Sequence, residues 1–169
     1  MINEKKILVF TATYNEKENI KNLIISILKD YPNIDILIVD DKSPDGTGKE
    51  IEILEKERKN IKLIQRDAKL GLDTAHKLGY NYALEKNYDY LITMDEDLSH
   101  DPSEIINFIN NLENNSFVIG SRYAPGGRCL MKGNRLIISK YGNILIKLLS
   151  GIKCNEFTTS YRGFNNKKL

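Results

Sequence analysis

Two acids one residue apart, Asp95 and Asp97, follow the apolar run Tyr90-Leu91-Ile92-Thr93-Met94. Carboxylates so spaced at the end of a buried strand can lie on one side of a loop. Mg²⁺ and Mn²⁺ are held by one or two such carboxylates together with the phosphate oxygens of a substrate. An isolated acid-x-acid pair is common in ordinary loops, but a second acidic pair, Asp40-Asp41, ends another apolar run, Ile36–Val39. That repetition turns the balance toward a metal–diphosphate site, with Glu96 facing solvent between its neighbours. Asp40-Asp41 reads equally well as a plain turn running to Gly46 or as an acceptor for a base edge or ribose hydroxyls. Crowded carboxylates need a cation or donor to compensate them.

Basic residues collect later in the chain: Arg122, Arg128, Lys132, Arg135 and Lys140. Scattered charge is usually a solvated face. Arg122 and Arg135 are read as phosphate ligands, and the segment as one suited to anionic lipid head groups at a membrane surface. The apolar stripe beside them, Tyr141, Ile144, Leu145 and Leu148, is read as core. Lys69–Ala75 opens a helix capped by Asp73 or Thr74 and matches neither a Walker loop nor a dinucleotide fingerprint. His76 and His100 are read as structural, with His100 placed to orient the acidic loop. Cys129 and Cys154 fit no metal spacing and read as small half-buried hydrophobes.

These residues need a scaffold. Ile7–Phe10 and Ile36–Val39 are short apolar runs, as expected of strands buried on both faces, and Ile61–Ile64, Tyr90–Met94 and Phe117–Ile119 read as further strands. Helical stripes alternate with them: Ile20, Leu23, Ile24, Ile27 and Leu28; Ala75, Leu78, Gly79, Tyr82 and Ala83; Ile105, Phe108, Ile109 and Leu112. Asn15 with Glu18 and Thr47 with Glu50 predict capping boxes, and Asp101-Pro102 a capped helix start. The expected fold class is α/β, a Rossmann-like, mostly parallel central sheet with helices on both faces. Ligands bind such sheets beyond the carboxyl ends of the strands. Thr13–Glu16, Asp40-Asp41, Asp95–Asp97 and Gly120–Arg122 all fall there. A chain of 169 residues is one domain. With 25 basic and 23 acidic residues, a net charge of +2 argues against binding nucleic acid through bulk charge. No apolar run approaches the roughly 18 residues of a membrane span. No signal peptide opens the chain, so a cytoplasmic location is expected.

Taken together the motifs resemble those of the polyprenol-phosphate mannose synthases (dolichol-phosphate mannosyltransferases), inverting enzymes of glycosyltransferase family two with a GT-A fold. The matching segments are TYNEKEN (Thr13–Asn19), DDKSPDGT (Asp40–Thr47), LGLDTA (Leu70–Ala75), MDEDLSH (Met94–His100), GSRY (Gly120–Tyr123), RLIIS with a following YGN (Arg135–Asn143) and TTSYRGF (Thr158–Phe164). The resemblance implies transfer of mannose from GDP-mannose to a polyprenyl or dolichyl phosphate. A UDP-sugar such as UDP-glucose, or a non-catalytic sugar-nucleotide-binding subunit, is the alternative. It implies a nucleotide pocket from Tyr14, Glu16 and Asp41 with Asp40, with Thr13 and Glu96 inside the same motifs. It implies Mg²⁺ or Mn²⁺ on Asp95 and Asp97 with Ser99 beside them, and phosphate contacts from Arg122, Arg135 and Ser139. Asp97, Arg122 and Arg135 then carry the catalytic roles. It also implies peripheral attachment to the cytosolic face of a membrane, an anchoring partner subunit, and a family domain that continues past Leu169 with a further basic motif. Ala12, Lys42, Asp73, Glu96 and Thr159 depart from the residues usual at their positions.

Overall fold

A computed structural model describes residues 5–124, 126–127, 129, 132–152 and 154–168, apart from the side chain of Arg135. Six strands and five helices alternate: β1 (Ile7–Thr13), α1 (Lys17–Asp30), β2 (Asp35–Asp40), α2 (Thr47–Glu57), β3 (Ile61–Gln65), α3 (Leu72–Glu85), β4 (Tyr90–Thr93), α4 (Ile105–Leu112), β5 (Phe117–Ile119), α5 (Gly133–Ser150) and β6 (Arg162–Asn165). A single 3₁₀ turn, Pro102–Glu104, leads into α4. The strands form one sheet in the order β3-β2-β1-β4-β6-β5. The first four run parallel, with Thr13 opposite Asp40 and Phe10 opposite Thr93. The mostly parallel α/β sheet expected from the apolar runs is therefore present.

Its far edge differs from expectation. β5 does not pair with β4. β6 lies between them, antiparallel to both, with Arg162 opposite Thr93 and Ile119. The sequence Arg-Gly-Phe-Asn lacks an apolar run, and its strand identity comes from two neighbours distant in the chain.

Both faces of the sheet are covered. Ile7, Val9, Ile36, Ile38 and Ile92 pack on one side with the buried stripes of α1, α2 and α4. Leu8, Phe10, Leu37, Val39 and Leu91 pack on the other with Ala75 and Ala83 of α3. Alternate residues of each strand thus point into opposite apolar layers, which is why the strands read as unbroken apolar runs. On α3 the approach is very close: a Cβ on Gly79 would stand 2.5 Å from Cδ2 of Phe10.

Helix starts depart from the capping boxes. Asn15 is left-handed (φ 63°), and neither α1 nor α2 has a side-chain cap of its own. Instead the β2–α2 loop serves the start of α1. Asn15 N–H donates to Ser43 Oγ (2.9 Å), Glu16 N–H to Thr47 Oγ1 (3.1 Å) and Lys17 N–H to Asp45 Oδ2 (3.2 Å). Two donors that a helix terminus leaves without intrahelical partners, Glu16 and Lys17 N–H, and the Asn15 N–H before them are thereby satisfied across the chain. Asp73 and Thr74 lie within α3, whose cap position is Gly71 (φ 93°) and has no side-chain bond. At the 3₁₀ turn the expectation holds: Asp101 Oδ1 accepts from Ser103 N–H at 2.9 Å, with Pro102 in first position.

The apolar stripe of α5, expected in the core, points outward. Ile137, Tyr141, Ile144, Leu145 and Leu148 are exposed, as are Ile138 (72%) and Leu149 (80%). The polar face turns inward. Asn143 is buried, Ser139 Oγ accepts from Tyr123 O–H at 2.8 Å, and Lys147 reaches Asn155 at 2.8 Å. Among the described residues no helix is long and apolar enough to cross a membrane.

Candidate functional site

The loop after β4 carries the densest chemistry. Strand geometry ends at Thr93, so the side-to-side alternation that places Glu96 in solvent does not extend through Asp95–Asp97. Glu96 is half-buried instead. Burial, with Asp95, Glu16 and Asp97 adding like charge, pushes its carboxyl up to about 7. Among the described residues, no salt bridge compensates Glu16, Glu96 or Asp97. Asp97 is exposed, and its Oδ1 accepts from Ser99 N–H at 2.9 Å. Burial alone would raise it. The Ser99 hydrogen bonds and the nearby His100 outweigh burial and hold it below the ordinary carboxylate value. Leu98 between them is left-handed (φ 59°), a strained conformation for a γ-branched residue.

His100 shapes this loop. Its Nδ1 accepts from Asp95 N–H at 2.9 Å, which puts the ring proton on Nε2, 3.3 Å from Thr159 Oγ1 and 3.7 Å from Asp95 Oδ2. Burial lowers its pKa, with Asp95 and Asp97 pulling the other way. It stacks on Tyr161 with centroids 4.7 Å apart. Ser160 Oγ donates to Asp95 Oδ1.

Asp40 and Asp41 are both buried and bonded within the chain. Asp40 is fully buried and accepts from Ser43 N–H (3.0 Å), Ser43 O–H and Gln65 Nε2 (3.0 Å). It braces its own turn. Asp41 pairs with Arg66 and accepts from Leu70 N–H at 3.1 Å. Arg66 also donates to Thr74 Oγ1 (2.6 Å) and Gly71 O (3.0 Å), tying the β3–α3 loop to the end of β2. Lys69 Nζ lies 3.9 Å over the ring of Tyr14. Thr13 is buried, its backbone oxygen accepts from Asp41 N–H at 3.2 Å, and its Oγ1 has no partner among the described residues.

The basic group is built differently. Arg122 donates through Nε and Nη2 to both oxygens of Glu156, at 2.9 Å each, and through Nη2 to Thr158 Oγ1 at 2.9 Å. The Glu156 side chain is fully buried. Burial would raise its carboxyl, yet the Arg122 and Thr158 bonds outweigh that and hold it below its ordinary value. Asn143 of α5 closes the network, donating to Glu156 Oε1 (3.1 Å) and accepting from Phe157 N–H (2.7 Å). Arg122, expected to meet phosphate, therefore already holds a buried carboxylate. Arg135 stands in the first turn of α5, four residues before Ser139; its side chain and all of Arg128 lie outside the described residues.

The structure thus gathers Glu16, Asp95, Glu96 and Asp97 at one edge and Arg122 with Ser139 at another. Residues 156–160 join the two: Thr158 bonds Arg122, Thr159 contacts His100 and Ser160 bonds Asp95. Arg66, Lys69, Glu156 and Ser160 escaped the sequence reading of the site. Lys69 and Ser160 lie in segments the sequence singles out, Lys69–Ala75 and Thr158–Phe164, and Glu156 stands out as a lone acid in a basic segment. Among the described residues no three His, Cys, Asp or Glu side chains converge as a closed metal site. Two hard oxygen donors, Asp95 and Asp97, beside acid that no salt bridge compensates among the described residues fit a divalent cation whose remaining ligands come from water and substrate.

The fold and these motifs have known relatives. The chain is 34% identical over 170 residues to the polyprenol monophosphomannose synthase of Mycolicibacterium smegmatis, covering 98% of this chain and 63% of that protein. It is 34% identical over 166 residues to the undecaprenyl-phosphate mannosyltransferase of Micrococcus luteus, covering 97% and 68%. The chain therefore spans about two thirds of the length of these curated relatives. Among solved structures, the mannosyltransferase PcManGT from Pyrobaculum calidifontis in complex with GDP-Man and Mn²⁺ superposes with a TM-score of 0.63 at 19% identity, over 95% of this chain and 44% of that one. Glucosyl-3-phosphoglycerate synthase from Mycobacterium tuberculosis, in complex with Mn²⁺, UDP and phosphoglyceric acid, gives 0.69 at 16% identity, over 98% and 57%. At such identities the likeness is one of fold, GT-A. The profile of glycosyl transferase family 2 matches residues 8–169, and the chain belongs to that family.

Proposed function

We propose that this chain carries the nucleotide-sugar half of an inverting, metal-dependent hexosyltransferase that moves mannose from GDP-mannose onto a polyprenyl or dolichyl monophosphate. The observation that carries the reading is the acidic loop after β4, where Asp95, held by Ser160 and His100, and Asp97, held by Ser99, stand at the carboxyl end of a central strand. The names of the two 34% identical relatives support the lipid-phosphate acceptor and the mannosyl donor.

In this reading Tyr14, Glu16 and Asp41 border the nucleotide, with Arg66 holding Asp41 and Asp40 bracing the turn. Asp95 and Asp97, with Ser99 beside them, hold Mg²⁺ or Mn²⁺, which supplies Lewis-acid stabilisation of the diphosphate leaving group. Ser160 and His100 fix the orientation of Asp95 before substrate arrives. An acceptor phosphate oxygen attacks C1 of the hexose, the C1–O bond to the diphosphate breaks, and its electron pair leaves with the nucleotide. A phosphate monoester has a second pKa of about 6, so it reaches neutral pH largely as a dianion and needs no general base. What it needs is positioning against the charge of the donor. In this reading Arg135 and Ser139, one helical turn apart near the start of α5, supply that positioning.

The outward apolar face of α5, flanked by Lys132 and Lys140, supports peripheral contact with the bilayer that carries the acceptor, on its cytosolic face.

The test is transfer of labelled mannose from GDP-mannose to a short-chain polyprenyl phosphate. Product is expected with Mg²⁺ or Mn²⁺ and none with EDTA. Asp97→Asn keeps the shape, removes the charge and is expected to lower the rate at least about a hundredfold. Transfer from UDP-glucose alone would replace the donor. Nucleotide binding without any transfer, lipid phosphate present, would overturn the catalytic reading.

A further inference from the structure

Tyr123 stands in the loop after β5 and Ser139 in α5, and the tyrosine O–H donates to Ser139 Oγ at 2.8 Å. The bond ties the two segments together across 16 residues. Such ties matter on this helix. The apolar side of α5 faces outward. Its inner side meets the rest of the protein through polar bonds: Tyr123 to Ser139, Asn143 to Glu156 at 3.1 Å, and Phe157 N–H to Asn143 at 2.7 Å. The Arg122 guanidinium lies over the ring of Tyr123, 5.8 Å from its centroid. One side chain therefore reaches from the arginine to the serine.

The direction of the bond decides what Ser139 can do. A phenol is the stronger acid of the two hydroxyls, so Tyr123 gives its proton and Ser139 accepts. A serine hydroxyl has one proton and two lone pairs, and the tyrosine takes up one of the lone pairs. Ser139 is half-buried, and among the described residues its Oγ donates to no other group. Its backbone oxygen accepts from Asn143 Nδ2 at 2.9 Å, which holds the same turn of α5 from below. The serine proton is thus left for an incoming partner. A dianionic phosphate monoester suits it, because its oxygens accept and have no proton to place. An alcohol in the same position brings a proton of its own and finds one lone pair of Ser139 already taken.

We propose that Tyr123 is a positioning residue for the acceptor phosphate: by donating to Ser139 it aims the serine proton at a phosphate oxygen and holds α5 against the loop that carries Arg122. This role rests on the phosphate-binding reading of Ser139 and deepens it, since it names the group that sets that hydroxyl as a donor.

The experiment is a double-mutant cycle on the full chain, read by calorimetry with geranyl phosphate as the probe and GDP with Mg²⁺ as the control. Tyr123→Phe keeps the ring and removes the donated proton. It is expected to weaken geranyl phosphate binding about five- to tenfold, the size of one hydrogen bond, while GDP affinity stays within about twofold. In a Ser139→Ala background the same substitution is expected to cost nothing further, because the tyrosine then has no serine to aim. The unfolding midpoint reports that each variant is folded. Equal losses in both backgrounds would make Tyr123 a packing residue and overturn the role. An unchanged affinity in Tyr123→Phe, or a parallel fall in GDP binding, would overturn it too. A wild-type chain that binds geranyl phosphate no more tightly than geraniol would sink the lipid-phosphate reading itself, a separate failure.

Discussion

The two ends of the sheet are held by different physics. In β1, β2 and β4 the strands are sealed between helices, and every side chain from Ile7 to Phe10 or from Ile36 to Val39 is buried. Around α5 the order rests on polar bonds. Glu156, Arg122, Asn143 and Thr158 join three segments around one buried carboxylate, and the helix that contributes Asn143 presents its apolar side to the outside. Apolar layers tolerate small repacking. A buried charge network tolerates the loss of neither partner.

That contrast ranks the consequences of substitution. Glu156→Ala leaves the Arg122 guanidinium without its carboxylate and strips an acceptor from Asn143 and Thr158. Breaking a buried pair costs about 3–5 kcal/mol, and Arg122 keeps enough solvent contact that about 3 kcal/mol is expected. Denaturant unfolding checks this. An unchanged midpoint would mean that the second region is held by something other than this network.

Gly79→Ala tests the apolar side. The added methyl would stand 2.5, 2.7 and 2.9 Å from three atoms of Phe10, whose ring is fully buried and has no room to retreat. Overpacking of this kind costs about 1–3 kcal/mol. The expected loss is about 2 kcal/mol, smaller than for Glu156→Ala, with α3 displaced from the sheet. If Gly79→Ala proves the more damaging of the two, the contrast between the regions is inverted.

The same contrast explains what could be read from the sequence. In the first region the information is local. A run such as Ile36-Leu37-Ile38-Val39 identifies a two-sided buried strand, and Ile20, Leu23, Ile24, Ile27 and Leu28 of α1 are the residues its spacing marked for burial. The acidic ends of β2 and β4 follow, because ligand loops sit at strand carboxyl ends. What escaped is non-local. Ser43, Asp45 and Thr47 cap the start of α1 from 28 to 31 residues away. Arg66 finds Asp41 across 25 residues, and β6 is a strand only because β4 and β5 flank it. Glu96 was misplaced because alternation holds only inside a strand. For α5 the periodicity was correct and its direction was not: a helical stripe says that an apolar face exists, never which way it points.

Leu149→Ser examines that last point and carries the smallest expected change in stability. Leu149 is 80% exposed, so a polar replacement removes no core contact and should shift folding stability by no more than about 0.5 kcal/mol. An equivalent substitution in a helix whose stripe enters the core, such as Leu23→Ser in α1, removes a fully buried side chain and would cost several kcal/mol. If the α5 face meets a bilayer, the stability-neutral change still has a consequence. Retention on vesicles of anionic phospholipid should fall, because each leucine withdrawn from the interface removes about 1.5–3 kcal/mol of burial. Loss of vesicle binding with an unchanged unfolding midpoint is the expected pair of results. A large drop in the midpoint would mean that this face is covered within the folded protein in solution, and that its outward stripe has a different occupant.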